Sequence, residues 1–289
     1  MINVDDLTYV YPGATEPAVR AVSFTISPGE IFGLLGPSGA GKSTTQRVLT
    51  RQNRRFRGSV VVLSRALSSW DHTLYDAIGV SFETPNLYLQ LTGAENLEFF
   101  ASLHRSPTRR PADLLDLVGL SDAADSRVAE YSKGMKMRLN FVRALLHDPS
   151  VLFLDEPTAG LDPVNAAVIK ALIREERHKG KTVLLTTHNM ADVDELCDRV
   201  GFLVEGRMSV IDTPQALKAR HGHRSVRVEY DDEAGASAVS EFPLDGLARN
   251  ARFLDLLDAR PIQSVHSQEA SLNQVFADVT GVLVRSGGD

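Results

Sequence analysis

The stretch from Gly36 to Thr44, Gly-Pro-Ser-Gly-Ala-Gly-Lys-Ser-Thr, constrains this chain more than any other. It reads G-x-x-x-x-G-K-S-T, the pattern of a loop that wraps a phosphate. The apolar run Ile31–Leu35 before it reads as a strand, and a helix is expected from Ser43 to about Leu49. Glycine lets the backbone fold tightly round an anion, so that N–H groups turn inward. The backbone of Gly36, Pro37, Ser38, Gly39, Ala40 and Gly41 supplies that cradle, and the following helix adds its positive end. In this pattern Lys42 reaches the β- and γ-phosphates, while Ser43, next to Thr44, offers a hydroxyl to Mg²⁺. A nucleotide site is expected, and its use must be read from the rest of the chain.

The rest alternates strands with helices, which argues an α/β sheet fold. Val4–Val10 and Arg20–Ile26 read as strands joined through the turn signal Tyr11-Pro12-Gly13. Tyr11 has two readings: turn packing, or a π-face for a nucleotide base. Arg47, Arg51, Arg54, Arg55 and Arg57 follow the loop and read as a solvated basic face. Strands are expected at 58–63 and 78–82. A helical insertion at about 84–147 follows, with helices at 92–103 and 111–118 and a third opening at Tyr131-Ser132-Lys133-Gly134-Met135, where Ser132 suits an N-cap.

The unbroken apolar run Val151–Leu154 suits a parallel strand buried on both faces. It ends in Asp155-Glu156-Pro157. Asp155 stands where such an enzyme needs its second magnesium anchor, and Glu156 lies beyond the strand end as a candidate base for an attacking water. Pro163 opens a helix to His178, and a strand from Thr182 to Thr187 delivers His188 to the same sheet edge as Gly36 and Asp155. Together these groups place a metal, a terminal phosphate and a water, as phosphoryl transfer to water requires. A hairpin is expected around Glu205-Gly206, then a helix at 214–219.

Charge is uneven. Residues 1–220 carry 25 Lys/Arg against 26 Asp/Glu, whereas 221–289 carry 6 against 11, within an overall net charge of −6. That shift marks a boundary near His221 between a domain at 1–220 and an accessory domain at 221–289. The acidic balance argues against nucleic acid as a partner. A single cysteine, Cys197, excludes an internal disulfide and reads as core. No signal core opens the chain, and no apolar run approaches the ~20 residues that span a bilayer. The tail is expected to hold a strand from Arg224, a helix at 244–257, an extended run at 262–267 and a helix at 271–279 stopped by Gly281.

The ordered set of phosphate loop, Tyr-Ser-Lys-Gly-Met at a helix head, Leu-Asp-Glu-Pro-Thr-Ala-Gly-Leu-Asp-Pro and Thr-Thr-His resembles the ATPase subunit of an ABC transporter over about residues 2–220. The resemblance implies a P-loop NTPase with a mixed sheet core, an N-terminal antiparallel β subdomain, a helical insertion and a small α+β C-terminal extension. It implies ATP and Mg²⁺, a homodimer with two ATPs sandwiched between subunits, and a separate permease that places the chain on the cytoplasmic face of the cell membrane. Tyr11 would then stack on adenine, and Ser132 with Gly134 would approach the γ-phosphate in trans. Asp162 would organise the dimer contact, and His188 would sense the γ-phosphate. Leu87, Tyr88, Leu89 and Leu91 fall near the permease groove, or else pack under a loop. Ser271-Leu272-Asn273-Gln274-Val275-Phe276 resembles the extension of drug, lipid or polysaccharide exporters. Importer ATPases, and soluble ABC ATPases acting on ribosomes or DNA, remain alternatives.

Two motifs depart from the family pattern. Tyr131, Lys133 and Met135 replace the Leu, first Gly and Gln of the usual Leu-Ser-Gly-Gly-Gln signature. Glu83 stands at the metal-facing loop position where Gln is usual; its carboxylate can still meet Mg²⁺, but it adds negative charge near the γ-phosphate. Glu83→Gln is therefore expected to raise the kcat of ATP hydrolysis, and an unchanged or lower kcat contradicts the charge argument.

Overall fold

The structure, a computed structural model, describes residues 2–221, 225–232, 235–268 and 271–281. By its contacts the chain divides into two compact units, Met1–Thr213 and Pro214–Asp289.

In the first unit, β1 (Ile2–Tyr9) and β2 (Val19–Ile26) pair antiparallel and bury alternate residues. Strand β3 (Ile31–Leu35) is buried at every position and feeds the loop into α1 (Lys42–Leu49). Then β4 (Arg57–Val62) and the two-residue β5 (Arg65–Ala66) complete a four-stranded sheet, β2-β1-β4-β5. After α2 (Leu74–Ala77) comes β6 (Ile78–Ser81).

The insertion holds α3 (Gly93–Ser102), α4 (Pro111–Leu117) and α5 (Lys133–Leu145). Each start has a sequence cause. Thr92 and Glu95 form a reciprocal capping box, Pro111 occupies the first turn, and the Ser132 hydroxyl accepts from Met135 N–H. Next come β7 (Val151–Asp155), α6 (Pro163–His178), β8 (Thr182–Thr187), α7 (Met190–Leu196), β9 (Arg199–Val204) and β10 (Arg207–Asp212). The central sheet runs β10-β9-β3-β8-β7-β6, parallel except where β10 returns on β9. That return passes through Glu205 (φ 47°) and Gly206 (φ 77°), the left-handed pair a tight hairpin demands. One core joins the two sheets: Phe24 of β2 stacks on Phe32 of β3, 5.3 Å between centroids, and Val48 and Leu49 of α1 are fully buried. Cys197, at the end of α7, is core as expected; burial pushes its thiol pKa up.

The second unit opens with α8 (Pro214–His221), which packs on its last helix, so by contact it groups with residues beyond 220. A three-stranded antiparallel sheet, ordered β12-β11-β13, is made by β11 (Ser225–Asp231), β12 (Ser237–Pro243) and β13 (Ile262–Gln268). The helix expected at 244–257 is interrupted: Gly246 takes φ 76°, Asn250 caps a new start, and α9 runs Ala251–Ala259. Ser271 and Gln274 form a capping box for α10 (Leu272–Thr280), and Gly281 ends it at φ 69°. Arg224, the expected first strand residue, lies outside the described residues.

A histidine pair marks the join between insertion and sheet. His147 is buried; its Nε2 donates to Ile78 O (2.9 Å), and its Nδ1 has no partner. His104 stacks on it with centroids 3.9 Å apart and bonds Asp76 (3.3 Å). Burial, then the neighbouring His104, pushes the His147 pKa down from 6.5 to about 4. Between those values the unfolded chain binds the proton and the folded chain does not, so stability must fall as pH drops through that window. The expected loss is roughly 2–3 kcal/mol on going from pH 7 to 4. Urea midpoints across that range should fall less steeply for His147→Asn, which retains a donor; parallel pH slopes would refute the assignment.

Candidate functional site

The site forms where β3, β8 and β7 end together. Leu35 pairs with Thr187 and Thr186 with Asp155, so Gly36, His188 and Glu156 leave the sheet side by side. At two positions the loop has no room for a side chain. A Cβ on Gly36 would stand 2.1 Å from Leu203 O, and one on Gly41 (φ 105°) 2.6 Å from Ala18 O. Gly206 N–H donates to Ala40 O (3.0 Å), pinning the loop to the β9–β10 turn. Gly41 is the N-cap of α1 and offers no side-chain acceptor, so the first N–H groups of the helix are left for an external anion.

Lys42 Nζ spans the loop, donating to Gly36 O (2.7 Å) and Pro37 O (3.1 Å). Burial lowers its pKa against the opposing pull of Glu156, Asp155 and Glu83. Ser43 Oγ donates to Asp155 Oδ1 at 3.3 Å, and the buried Thr186 hydroxyl donates to the same oxygen. Ser43, Asp155 and Glu83 line one cavity of about 500 Å³ together with Gln46, Arg47 and Asn86. All three expected metal donors are therefore on one wall set, and all are hard oxygens, which suits Mg²⁺. Tyr11 hydroxyl and Thr44 Oγ1 share a hydrogen bond of 2.9 Å, while the Tyr11 ring packs edge-on against Tyr9. That bond fixes the ring beside the start of α1.

Glu156 has φ 48°, a left-handed conformation unusual outside glycine. Its N–H donates to Thr186 O (2.8 Å); the residue is buried, and its carboxylate accepts from Thr187 Oγ1 (3.0 Å) and pairs with His188 Nδ1 (2.7 Å). Because the carboxylate can only accept, Nδ1 carries the proton and Nε2 of this half-exposed ring faces outward. Asp162 caps α6 by accepting from Val164 N–H and Asn165 N–H, both 3.1 Å; the hydrogen bond from the Asn165 side chain, then the backbone bonds, lower its pKa. Gly134 faces Leu161, where a Cβ would meet Leu161 Cδ2 at 3.4 Å, and Lys133 lies against Gly160. The helix head bearing Ser132 thus abuts the loop that leads to Asp162.

Sequence reasoning did not single out Thr158, Asp192, Thr186 or Thr187 as site residues. The Thr158 hydroxyl donates to the buried Asp192 carboxylate, which also pairs with Lys170 (3.5 Å). Thr158 is two residues past Glu156, and Asp192 is four past His188. The only signal in the sequence was hydroxyls adjoining acids and histidine.

Comparison with known proteins identifies this geometry. An ABC transporter family model matches residues 19–159, and a fluoroquinolone efflux ABC transporter C-terminal domain model matches 224–269. The fluoroquinolones export ATP-binding protein of Mycobacterium tuberculosis (strain ATCC 25618 / H37Rv) is 52% identical over 281 residues, which is 97% of this chain and 93% of that protein. The chain belongs to the ABC transporter family.

Other members place the ABC ATPase more widely. Nod factor export ATP-binding protein I of Rhizobium meliloti (strain 1021) is 40% identical over 220 residues, 75% of this chain and 65% of that one. A solved ATP-binding subunit of an ABC transporter superposes with TM-score 0.68 at 30% identity, covering 76% of this chain and 92% of its own. A dimeric ATP-binding cassette in a post-hydrolysis state with ADP and Pi superposes with TM-score 0.68 at 26% identity, covering 74% and 98%. This chain is accordingly an ATP-binding, ATP-hydrolysing subunit of a transporter.

The Thr158–Asp192 bond ties the segment carrying the ABC ATPase's Glu156 to the one carrying His188. Asp192→Ala is expected to lower kcat about tenfold or more with little change in KM, through misplacement of the reacting groups. Thr158→Val should do the same, and the double variant should be no worse than either single one. Steady-state ATPase rates on variants with native melting temperatures decide it; fully additive losses would show that the two residues act separately.

Proposed function

We propose that this ABC ATPase acts as a homodimer on the cytoplasmic face of the cell membrane, hydrolysing ATP with Mg²⁺ to energise export of a drug-like substrate through a separate permease. Among the described residues no helix is long and apolar enough to cross a membrane. The fluoroquinolone exporter name of a relative matched along nearly its whole length favours an amphipathic aromatic drug over the lipid and polysaccharide cargoes of the wider exporter group.

The observation that carries the mechanism is the environment of Glu156. A carboxylate has about four acceptor positions. Thr187 and His188 take two of them, which fixes the group and leaves lone pairs for a water. Glu156 then orients and deprotonates that water for in-line attack on the γ-phosphate. Lys42 exchanges its two loop carbonyls for phosphate oxygens, and the backbone from Gly36 to Thr44 holds the remaining charge. Ser43, Asp155 and Glu83 would hold Mg²⁺, which would supply positive charge against the phosphate oxygens. His188, held by Glu156 through its Nδ1–H, turns Nε2 to the γ-phosphate and donates to it when that nitrogen also carries a proton; Tyr11 stacks on adenine, and Ser132 and Gly134 of the partner subunit close the opposite side, with Asp162 at the dimer contact.

The permease would dock beside the same cavity. Tyr88, Phe99 and Phe100 form an aromatic cluster with centroids 4.7–5.9 Å apart. Tyr88 and Leu89 are about half exposed, and Leu103 more so, whereas Leu87 and Leu91 are partly covered. Arg143 underpins the cluster, its guanidinium 4.8 Å from the Phe100 ring and bonded to Asn86 O (2.7 Å).

Glu156→Gln keeps the size and loses the base. With ATP, a tagged Glu156→Gln chain is expected to dimerise, to lose at least about 10²-fold in turnover, and to bring down a membrane protein from detergent-solubilised membranes. If it stays monomeric and captures no membrane protein, the transporter reading fails.

A further inference from the structure

Between Glu30 and Asp71 the chain carries no carboxylate, although its net charge is −6. That interval holds Lys42, Arg47, Arg51, Arg54, Arg55, Arg57 and Arg65. Lys42 and Arg47 belong to the nucleotide loop and its cavity. Of the others, Arg51 is half-buried and Arg54, Arg55, Arg57 and Arg65 are exposed. Among the described residues none of these five guanidinium groups has a carboxylate within ion-pair distance, whereas Arg20 and Arg199 of the same unit each have one. The nearest strand neighbours that are acidic, Asp5 and Asp6 on β1, stand opposite and beside Ser59 and make no ion pair with them.

A merely solvated basic face needs no cavity. This one has a concavity of about 400 Å³, lined by Arg51, Arg54, Phe56, Ser59, Leu67 and Ser68. Arginine is the side chain that grips phosphate oxygens through two parallel N–H groups. At the edge of the patch stands Trp70, half-buried, its Nε1 donating to Val62 O (3.1 Å) and its ring 4.5 Å beneath the Arg65 guanidinium. Tryptophan beside cations is the composition that settles at a lipid headgroup layer, and clustered arginines are drawn to anionic leaflets. The segment is also placed for it: Arg47, Gln52 and Asn53 share a cavity with Glu83 and Asn86, which lead into the Tyr88–Leu89 surface.

We propose that the Arg51–Arg57 segment, with Arg65 and Trp70, is a docking surface for the phosphate headgroups of an anionic lipid leaflet, held against the membrane beside the permease. The orientation rests on reading the Tyr88–Leu89 surface as membrane-directed; the lipid contact itself needs no permease. Nucleic acid shares the phosphate but is disfavoured by the strong negative charge outside this patch and by the interleaved Phe56, Leu67 and Trp70.

Flotation of the full chain with phosphatidylcholine vesicles, with and without phosphatidylglycerol, tests it. The protein should float with the phosphatidylglycerol vesicles only, and rising salt should release it. Arg51→Ala with Arg54→Ala should lower the bound-to-free ratio roughly thirtyfold, leaving melting temperature and ATP turnover unchanged. Arg51→Lys with Arg54→Lys should keep most of the binding. The proposal is overturned if the alanine variant floats like the native chain, or if both vesicle types bind alike. It is also overturned if inorganic phosphate releases the protein where chloride of equal ionic strength does not, which marks a free-anion site, or if duplex oligonucleotide outcompetes the vesicles. A chain that binds these vesicles while Glu156→Gln captures no permease sinks the transporter reading and not this one; capture without flotation does the reverse.

Discussion

Everything at the site depends on the register of three parallel strands. Leu35 opposite Thr187 and Thr186 opposite Asp155 bring the phosphate loop, the two acids and the histidine to one level. A slip of one residue would turn each side chain to the other face, removing Asp155 from Ser43 and His188 from Glu156. Register is enforced by burial, since every residue of β3, β7 and β8 is covered. The apolar runs that look featureless as sequence are what hold the polar chemistry in place.

That placement makes two adjacent carboxylates into different tools. Asp155 is the last residue of β7 and stays in the sheet, where Thr186 and Ser43 donate to it. Glu156 would point to the opposite face if the strand continued; its left-handed φ turns it instead onto Thr187 and His188. Such backbone strain costs on the order of 1–3 kcal/mol, comparable to one or two hydrogen bonds to a charged group. The strain persists because the bonds to Thr186 O, Thr187 and His188 offset it. Lys42 shows the other side of the same low-dielectric setting: desolvation lowers its pKa although three carboxylates favour the ammonium. Anionic phosphate brought against it would satisfy that charge.

Much of this was legible in the residues. The phosphate loop, the buried strand ending in Asp155-Glu156, the cap at Ser132 and the stop at Gly281 follow from local rules that the structure obeys. What was not legible has physical causes. β12 escaped because its apolar residues do not follow its burial, with Val239 exposed and Ser240 partly covered, and it is held by pairing with β11 rather than by its own pattern. The helix expected at 244–257 read as continuous, yet Gly246 and Asn250 break and restart it, and breaker residues outweighed periodicity. The Thr158–Asp192 bond joins residues 34 apart, and no short window contains it.

The same accounting of donors and acceptors bears on how a second subunit would complete the site. Ser132 already accepts from Met135 N–H as a helix cap, which uses a lone pair but leaves its own O–H free to donate. Capping therefore leaves the hydroxyl proton available, and Gly134, two residues on, keeps side-chain bulk away from an approaching phosphate. Lys133, which replaces a glycine of the usual signature, lies against Gly160 of its own chain. Its ammonium end lies beside the loop leading to Asp162, so a phosphate reached by Ser132 would also meet that cation. The signature and the Asp162 loop thus lie against each other at two points, Lys133 on Gly160 and Gly134 on Leu161.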